Sequence, residues 1–216
     1  MRDKMFLVAL VTAAILASPP AAYCLGIGSP GRTLDLGGSS ISGSFGLTEM
    51  EVDDVDVESK SIIFKGAVGA REGLTPYLKL GFADLERGGG FQGNLGFAWG
   101  GGVLFELVAP GERSGLSVDL DLQILFWDSE DGGSSIDVLE GQAALLGSMK
   151  SGGTTGYGGI ALTAVEVDGA GQDLDESTLG HLFFGVDYLI DFNWYFSAEA
   201  HLFGQDSITL AVGYLF

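Results

Sequence analysis

The segment LSVDLDLQILFW at residues 116–127 alternates apolar and polar side chains without a break from residue 116 to residue 124. Successive side chains of a β-strand point to opposite faces, so a period of two residues is the signature of a strand with one apolar face. The apolar face holds Leu116, Val118, Leu120, Leu122, Ile124 and Phe126. Asp119, Asp121 and Gln123 lie on the opposite face, and this unequal distribution guides the interpretation of the whole chain.

The same alternation recurs along the chain, in segments of about ten or more residues separated by breaks rich in Gly, Asp or Ser. We predict ten strands, at residues 41–50, 60–70, 75–85, 92–107, 115–127, 137–149, 155–167, 178–189, 194–203 and 207–216. An even number of strands returns both ends of the chain to one side of a closed sheet. Strand boundaries read from sequence are soft, so eight or twelve strands stay open as alternatives.

Hydrophobicity is high, with 46% apolar residues, yet no segment after the N-terminal region is suited to a membrane-spanning helix. The longest uncharged run after the N-terminal region, residues 88–105, contains eight glycines, and each interior glycine costs a helix about 1 kcal/mol relative to alanine. Two classes remain: a closed barrel in a membrane, or a soluble β protein that buries one face.

The face opposite the apolar one favours the membrane barrel. A soluble sheet would carry long charged side chains there, whereas these positions hold small or short polar residues, which suit a narrow barrel interior. They are Ser42, Ser44, Gly46, Ala98, Gly100, Gly102, Gly156, Gly158, Ala211 and Gly213. We therefore predict an all-β protein, a transmembrane antiparallel up-and-down β-barrel.

The predicted lumen also contains charged and amide side chains. They are Lys65, Lys79, Glu106, Asp119, Asp121, Gln123, Glu140, Gln142, Asp187, Glu199 and His201. We interpret them as a structural network of ion pairs and hydrogen bonds, because charges removed from water must be paired or hydrated. The alternative is a thin water path biased toward cations. The inward positions predicted for Leu125, Leu146, Ile160, Leu162 and Phe183 argue against a wide pore.

The N-terminal residues resemble a secretory signal peptide: Arg2 and Lys4 precede an apolar run at residues 5–17, and small residues and prolines follow. We divide the chain into a signal peptide (1–24), a polar leader (25–39) and an outer-membrane β-barrel (40–216). Cys24 is the only cysteine, which excludes an internal disulfide.

The net charge of −19 excludes nucleic-acid binding, which needs clustered Lys and Arg. With the N-terminus in the periplasm, the acidic loops at 49–60, 84–91, 128–137, 168–177 and 204–207 face outward. The inner loops, at 71–74, 108–114, 150–154 and 190–193, are nearly balanced in charge. The acidic stretches lack the spacing of an EF-hand loop, so we predict no metal site and no cofactor.

The last ten residues carry the most specific pattern. Ile208, Leu210, Val212, Tyr214 and Phe216 share one face, and Phe216 is the final residue. This pattern resembles the C-terminal assembly signal of bacterial outer-membrane barrels. The resemblance implies recognition by the barrel-assembly machinery and closure against the first strand. Residues 188–203 and 77–82 are similar to segments of small OmpA-like and opacity-type barrels.

Enzymatic barrels differ from this chain at their functional residues. Lipid A deacylases pair a His with a Ser two positions later, whereas Phe183 and Phe203 follow His181 and His201 at that spacing. Omptin-type proteases use longer strands than the ten to sixteen residues predicted here. We expect a non-enzymatic integral outer-membrane protein with a structural or surface-interaction role. A narrow cation-biased channel is the alternative, and a lipid-modifying enzyme is disfavoured. The expected partners are outer-membrane lipid, lipopolysaccharide and the assembly machinery, with the protein itself monomeric.

Overall fold

The computed structural model describes residues 33–52, 55–87, 91–110, 115–169, 174–203 and 205–216. The predicted signal peptide and most of the predicted leader lie outside these residues. No helix among the described residues is long and apolar enough to cross a bilayer.

Strands are the only regular secondary structure among the described residues, and every strand pair is antiparallel. The strands are β1 (Ser39–Val52), β2 (Val55–Val68), β3 (Leu74–Ala83), β4 (Glu86–Arg87), β5 (Phe91–Gln92), β6 (Gly96–Val108), β7 (Leu116–Asp131), β8 (Ser134–Ser151), β9 (Thr154–Gly169), β10 (Leu174–Leu189), β11 (Trp194–Leu202) and β12 (Gln205–Leu215). Ten of them form one ring in chain order, and β1 pairs with both β2 and β12, which closes the ring. The predicted ten-strand up-and-down barrel is confirmed.

The end of the barrel at Ser39 and Leu215 is called the inner end, and the opposite end is called the outer end. The inner face of a strand, by contrast, is the face that points into the lumen. Several strands continue beyond their predicted limits toward the outer end, and β8 reaches 18 residues, longer than the predicted range. The prediction ended these strands at charged residues, but backbone pairing continues past them, as between Asp128 and Asp137. Backbone hydrogen bonds do not depend on side-chain charge, which explains the difference.

The segment between β3 and β6 differs from the prediction of a plain outer loop followed by a strand from residue 92. Instead β4 pairs with β2 and with β5, forming a small hairpin at the outer end. The backbone N–H of Gln92 donates to Asp131 (3.1 Å) and the side-chain amide of Asn94 donates to the Glu130 carbonyl (3.0 Å). These bonds attach the hairpin to β7 and extend the wall above the short strand β3.

The two faces of the wall are sharply different. Large apolar side chains point outward, with 69% of Leu78 and 60% of Phe64 exposed, while Asp119 and Glu140 on the inner face are almost fully buried. This arrangement is the reverse of a water-soluble fold and places an apolar band around the barrel, as a hydrocarbon environment requires.

Strand β9 corrects one part of the prediction. Gly156, Gly158, Ile160 and Leu162 were all expected to point inward, but Ile160 is 56% and Leu162 54% exposed on the outer surface. Gly156 and Gly158 lie on the same outward face. Both faces of β9 carry small and apolar residues, so alternation does not distinguish them. Pairing decides the face instead, because Ile160 lies opposite the outward-facing Leu145 and Leu182.

Candidate functional site: the polar lumen

The structure places all eleven polar residues predicted for the lumen on the inner face. Ten of them are buried: Lys65, Lys79, Asp119, Asp121, Gln123, Glu140, Gln142, Asp187, Glu199 and His201. The eleventh, Glu106, is half-buried near the inner end, where Thr33 of the leader donates a long hydrogen bond (3.4 Å) to it. The inward sides of β2, β3, β6, β7, β8, β10 and β11 therefore all contribute polar side chains to the interior.

One set of these residues forms a hydrogen-bonded chain across four strands. The Lys79 Nζ donates to Gln123 Oε1 (2.6 Å), and Gln123 Nε2 donates to Gln142 Oε1 (2.6 Å). Gln142 Nε2 then donates to Thr163 Oγ1 (3.2 Å). The chain links β3, β7, β8 and β9 at the middle of the barrel, where buried polar groups need such partners.

Tyr77 joins the two lysines to the acidic residues. Its ring lies beneath both ammonium groups, with Lys65 Nζ 4.1 Å and Lys79 Nζ 5.7 Å from the ring centroid. Its hydroxyl donates to Asp121 Oδ1 (2.7 Å). Tyr77 was absent from the predicted network, although its position two residues before Lys79 places both side chains on the same face.

A second group centres on Glu199. Its Oε1 lies 2.7 Å from His201 Nε2, and its Oε2 accepts a hydrogen bond from the Tyr157 hydroxyl (2.8 Å). The His201 ring lies 4.9 Å from the His181 ring and 5.4 Å from the Phe183 ring, between centroids. Tyr157 and His181 were also missed, Tyr157 because the two faces of β9 were interchanged. This group holds the Glu199 carboxylate between His201 and Tyr157 inside the lumen.

A smaller group lies nearer the inner end. Ser117 donates to Asp119 Oδ2 (3.1 Å) and shares a hydrogen bond with Ser148 (2.7 Å). Glu140 and Asp187 lie on the same inner face, buried among the other lumen residues. Among the described residues, no group of three His, Cys, Asp or Glu side chains is placed to hold a metal ion.

Two clusters of buried apolar side chains lie in the lumen, one toward each end of the polar network. The outer cluster consists of Val57, Ile63, Ala83, Leu85, Ala98, Leu125, Trp127, Ile136, Val138, Val165 and Val167. The inner cluster consists of Leu104, Ala144, Leu146, Tyr157, Ala161 and Phe183. Strand β8 shows the order directly. From its outer end inward, the lumen side carries Ile136 and Val138, then Glu140 and Gln142, then Ala144 and Leu146.

The terminal strand completes the wall. Four of the five residues of the predicted assembly signal lie on the outward face of β12, and the fifth, Phe216, directly follows the strand. β12 pairs with β1 from Ser40–Leu215 to Met50–Gln205. The Tyr214 ring contacts the Trp194 ring edge-on, with centroids 5.2 Å apart, and Phe216 lies 4.8 Å from Tyr214. Aromatic rings at this level are typical of the girdles of membrane barrels.

The closed antiparallel wall, the outward apolar band and the polar interior define the fold of outer-membrane β-barrels. The structure is similar to that of an outer membrane channel from Pseudomonas putida F1, with a TM-score of 0.52 and 12% identity, covering 88% of this chain and 100% of that chain. The β domain of the Bordetella autotransporter BrkA gives a TM-score of 0.48 at 15% identity, over 83% of this chain and 99% of that one. The translocator domain of the autotransporter NalP from Neisseria meningitidis gives 0.46 at 12% identity, over 85% and 89%.

No protein-family model and no curated protein matches the sequence. The structural likeness therefore concerns the fold, and the resemblance to OmpA-like and opacity-type barrels stays a prediction.

Proposed function

We propose that this protein is a non-enzymatic outer-membrane barrel with a closed lumen, whose role is structural and in surface interaction. The observation that carries the proposal is the packing of the lumen. Leu85 and Ile136 in the outer cluster and Leu146 in the inner cluster are each no more than 1% exposed. Side chains packed in this way narrow the lumen and support a barrel that is closed to ions.

The proposal includes export, insertion by the barrel-assembly machinery and a monomeric state in lipid and lipopolysaccharide. The apolar band and the alternating face of β12 support membrane insertion. Acidic residues above the band support an exposed outer end, since Asp137 lies directly opposite both Asp128 and Asp168 on the outward face. Like charges directly opposite each other repel. Water and counter-ions at a membrane surface weaken this repulsion.

A planar-bilayer recording tests the closed lumen. We expect the purified, refolded barrel to insert without producing conductance steps. A variant with Leu85 and Trp127 both replaced by Ala serves as the comparison, because it removes two large side chains of the outer cluster. Stable steps from the unmodified protein would contradict the proposal.

The second candidate function is a narrow cation-biased channel, and one observation favours it. Five acidic side chains, Asp119, Asp121, Glu140, Asp187 and Glu199, are buried on the inner face with two lysines, Lys65 and Lys79. An acidic excess attracts cations into a water-filled path. Cation-selective steps that disappear on replacing Asp121 and Glu199 by neutral residues would establish this function in place of the first.

Surface interaction is tested on cells. The hairpin of β1 and β2 reaches the outer end near residues 51–59. We expect cells whose protein lacks residues 51–59 to bind host matrix less than cells carrying the full barrel at equal surface level. Equal binding would remove this segment from the proposal.

A further inference from the structure

The outward face has a gap near the seam of the barrel. Pairing places Trp194, Tyr214, Ile41, Gly66 and Leu78 side by side on β11, β12, β1, β2 and β3. Gly66 alone in this row has no side chain, and its neighbours Ile41 and Leu78 are 55% and 69% exposed. Because Gly66 has no side chain, its backbone forms the floor of a groove between the side chains of Ile41 and Leu78.

The groove is large enough to hold a hydrocarbon chain. A cavity of about 510 Å³ lies over Gly43 and Gly66 between Phe64, Leu80 and Trp194. A second cavity of about 390 Å³ continues it toward the inner end, past Val68 and Pro76 to Phe216. The two cavities share Ile41, Gly66 and Leu78 as lining residues. Their volumes lie in the range of ligand-binding clefts, and their walls are apolar and aromatic.

We propose that this groove binds one acyl chain of a phospholipid from the inner leaflet. The inference rests on the proposed position of the barrel in a bilayer, where hydrocarbon chains are the solvent. The groove runs from the inner rim at Phe216 to the middle of the wall at Phe64 and Leu80, so it lies within the inner half of the apolar band. A chain bound between the aromatic side chains of Phe64 and Trp194 contacts more apolar surface than a chain on a convex stretch of the wall does.

A second copy of the protein fits the groove poorly. A two-fold dimer apposes the same patch of both subunits, and two concave patches facing each other leave a void. Empty space between apolar surfaces loses dispersion contacts. A flexible chain fills the groove without that loss, which is why we assign it to lipid.

Gly66 provides a clean test, because a Cβ built there meets no atom within 4 Å. Gly66→Leu therefore places an apolar side chain in the groove, and its Cβ does not collide with the wall. Gly141 is the matched control, because it is a β8 glycine opposite the outward-facing Ile124, and its Cβ also meets no atom within 4 Å. Gly141→Leu adds the same side chain to the outward wall but on a strand remote from the groove.

The experiment uses Trp194, which lines the groove, as the reporter. In a background with Trp99→Phe and Trp127→Phe, a phosphatidylethanolamine with brominated acyl chains is titrated into the barrel in detergent, and quenching of Trp194 is recorded. We expect saturable quenching at one lipid per barrel. The apparent Kd should rise about tenfold or more in Gly66→Leu and stay within about twofold in Gly141→Leu.

Two results would overturn the proposal: equal quenching curves for Gly66→Leu and its background, or an equal loss in both glycine variants. A sedimentation experiment showing a dimer that Gly66→Leu dissociates would also overturn it and assign the groove to a second copy. Unboiled gel mobility, measured for every variant, confirms folding separately. The quenching titration therefore tests the groove, whereas the conductance recording tests the closed lumen, so the two proposals can fail independently.

Discussion

Glu199 shows at the scale of single residues how the lumen accommodates buried charge. Both of its carboxylate oxygens have a partner, one in His201 and the other in Tyr157. A carboxylate taken out of water is costly unless such partners are present. Removing one partner should therefore lower the stability by more than an average hydrogen bond contributes, because the carboxylate oxygen that loses its hydrogen bond stays buried.

We expect Tyr157→Phe to lower the free energy of unfolding by about 1–3 kcal/mol, because the buried Glu199 Oε2 loses the hydrogen bond from the Tyr157 hydroxyl. The measurement is urea-induced unfolding of the barrel in lipid vesicles. Tyr188→Phe is the control, because the Tyr188 side chain is 47% exposed on the outward face of the same barrel. This substitution should lower the free energy of unfolding by a clearly smaller amount. Similar losses in both variants would show that the Tyr157 bond contributes little.

Asp191 in the inner turn before β11 gives a pH dependence. The backbone N–H groups of Trp194 and Asn193 donate to its Oδ1 (2.8 and 2.9 Å), and these bonds lower the pKa of the carboxyl group. A carboxyl group with a lowered folded-state pKa stabilises the fold above its unfolded pKa, about 3.9. This stabilisation is lost as pH falls through the folded-state pKa.

We therefore expect Asp191→Ala to lower the urea midpoint of unfolding at pH 7 and the difference from the unmodified barrel to shrink below about pH 4. Asp191→Asn keeps an acceptor oxygen without the titration, so its difference should change less with pH. A constant Asp191→Ala difference between pH 7 and pH 3 would contradict the role of the charge.

At the scale of the strand, β9 shows where alternation fails as a guide. Tyr157, Gly159 and Ala161 point inward, and Gly158 and Ile160 point outward. Gly159 lies so close to the Leu145 carbonyl that a side chain would collide with the backbone. Small residues on the two faces thus have different surroundings, since the backbone packs closely at Gly159 inside, whereas a Cβ at Gly156 outside meets no atom within 4 Å.

The corrected orientation of β9 predicts a depth-dependent cost. Ile160 is the middle one of the outward residues from Gly156 to Ala164, so Ile160→Arg should destabilise the barrel by about 2–4 kcal/mol in vesicles. Glu166→Lys, at a position already charged near the outer end, should change stability by about 1 kcal/mol or less. Equal effects of the two substitutions on urea unfolding would mean that Ile160 does not face hydrocarbon.

At the scale of the whole molecule, the fold depends on the seam between β1 and β12. These strands are the two ends of the ring, yet they pair from Ser40–Leu215 to Met50–Gln205, and the Phe216 N–H also donates to the Ser39 carbonyl (2.9 Å). Closure leaves no long edge in the bilayer, where an unpaired backbone group costs several kcal/mol. The ring is therefore expected to resist partial unfolding in mild detergent.

We expect the folded barrel to migrate differently on a detergent gel before and after boiling, because the closed wall resists the detergent until it is heated. A truncated chain lacking residues 207–216 should run at one position in both conditions, since the ring cannot close without most of β12. A mobility shift that survives this truncation would show that closure by β12 is not its cause.

The amino-acid sequence determined the ten strands of the ring, their antiparallel order and most of the inward and outward faces. These follow from local chemistry, because a period of two residues and turn-forming breaks act within each segment, as in residues 116–127. Sequence alone did not determine the orientation of β9, the β4–β5 hairpin or the roles of Tyr77 and His181. Only the tertiary structure decided these, since they depend on which strands pair and which distant side chains meet inside the closed wall.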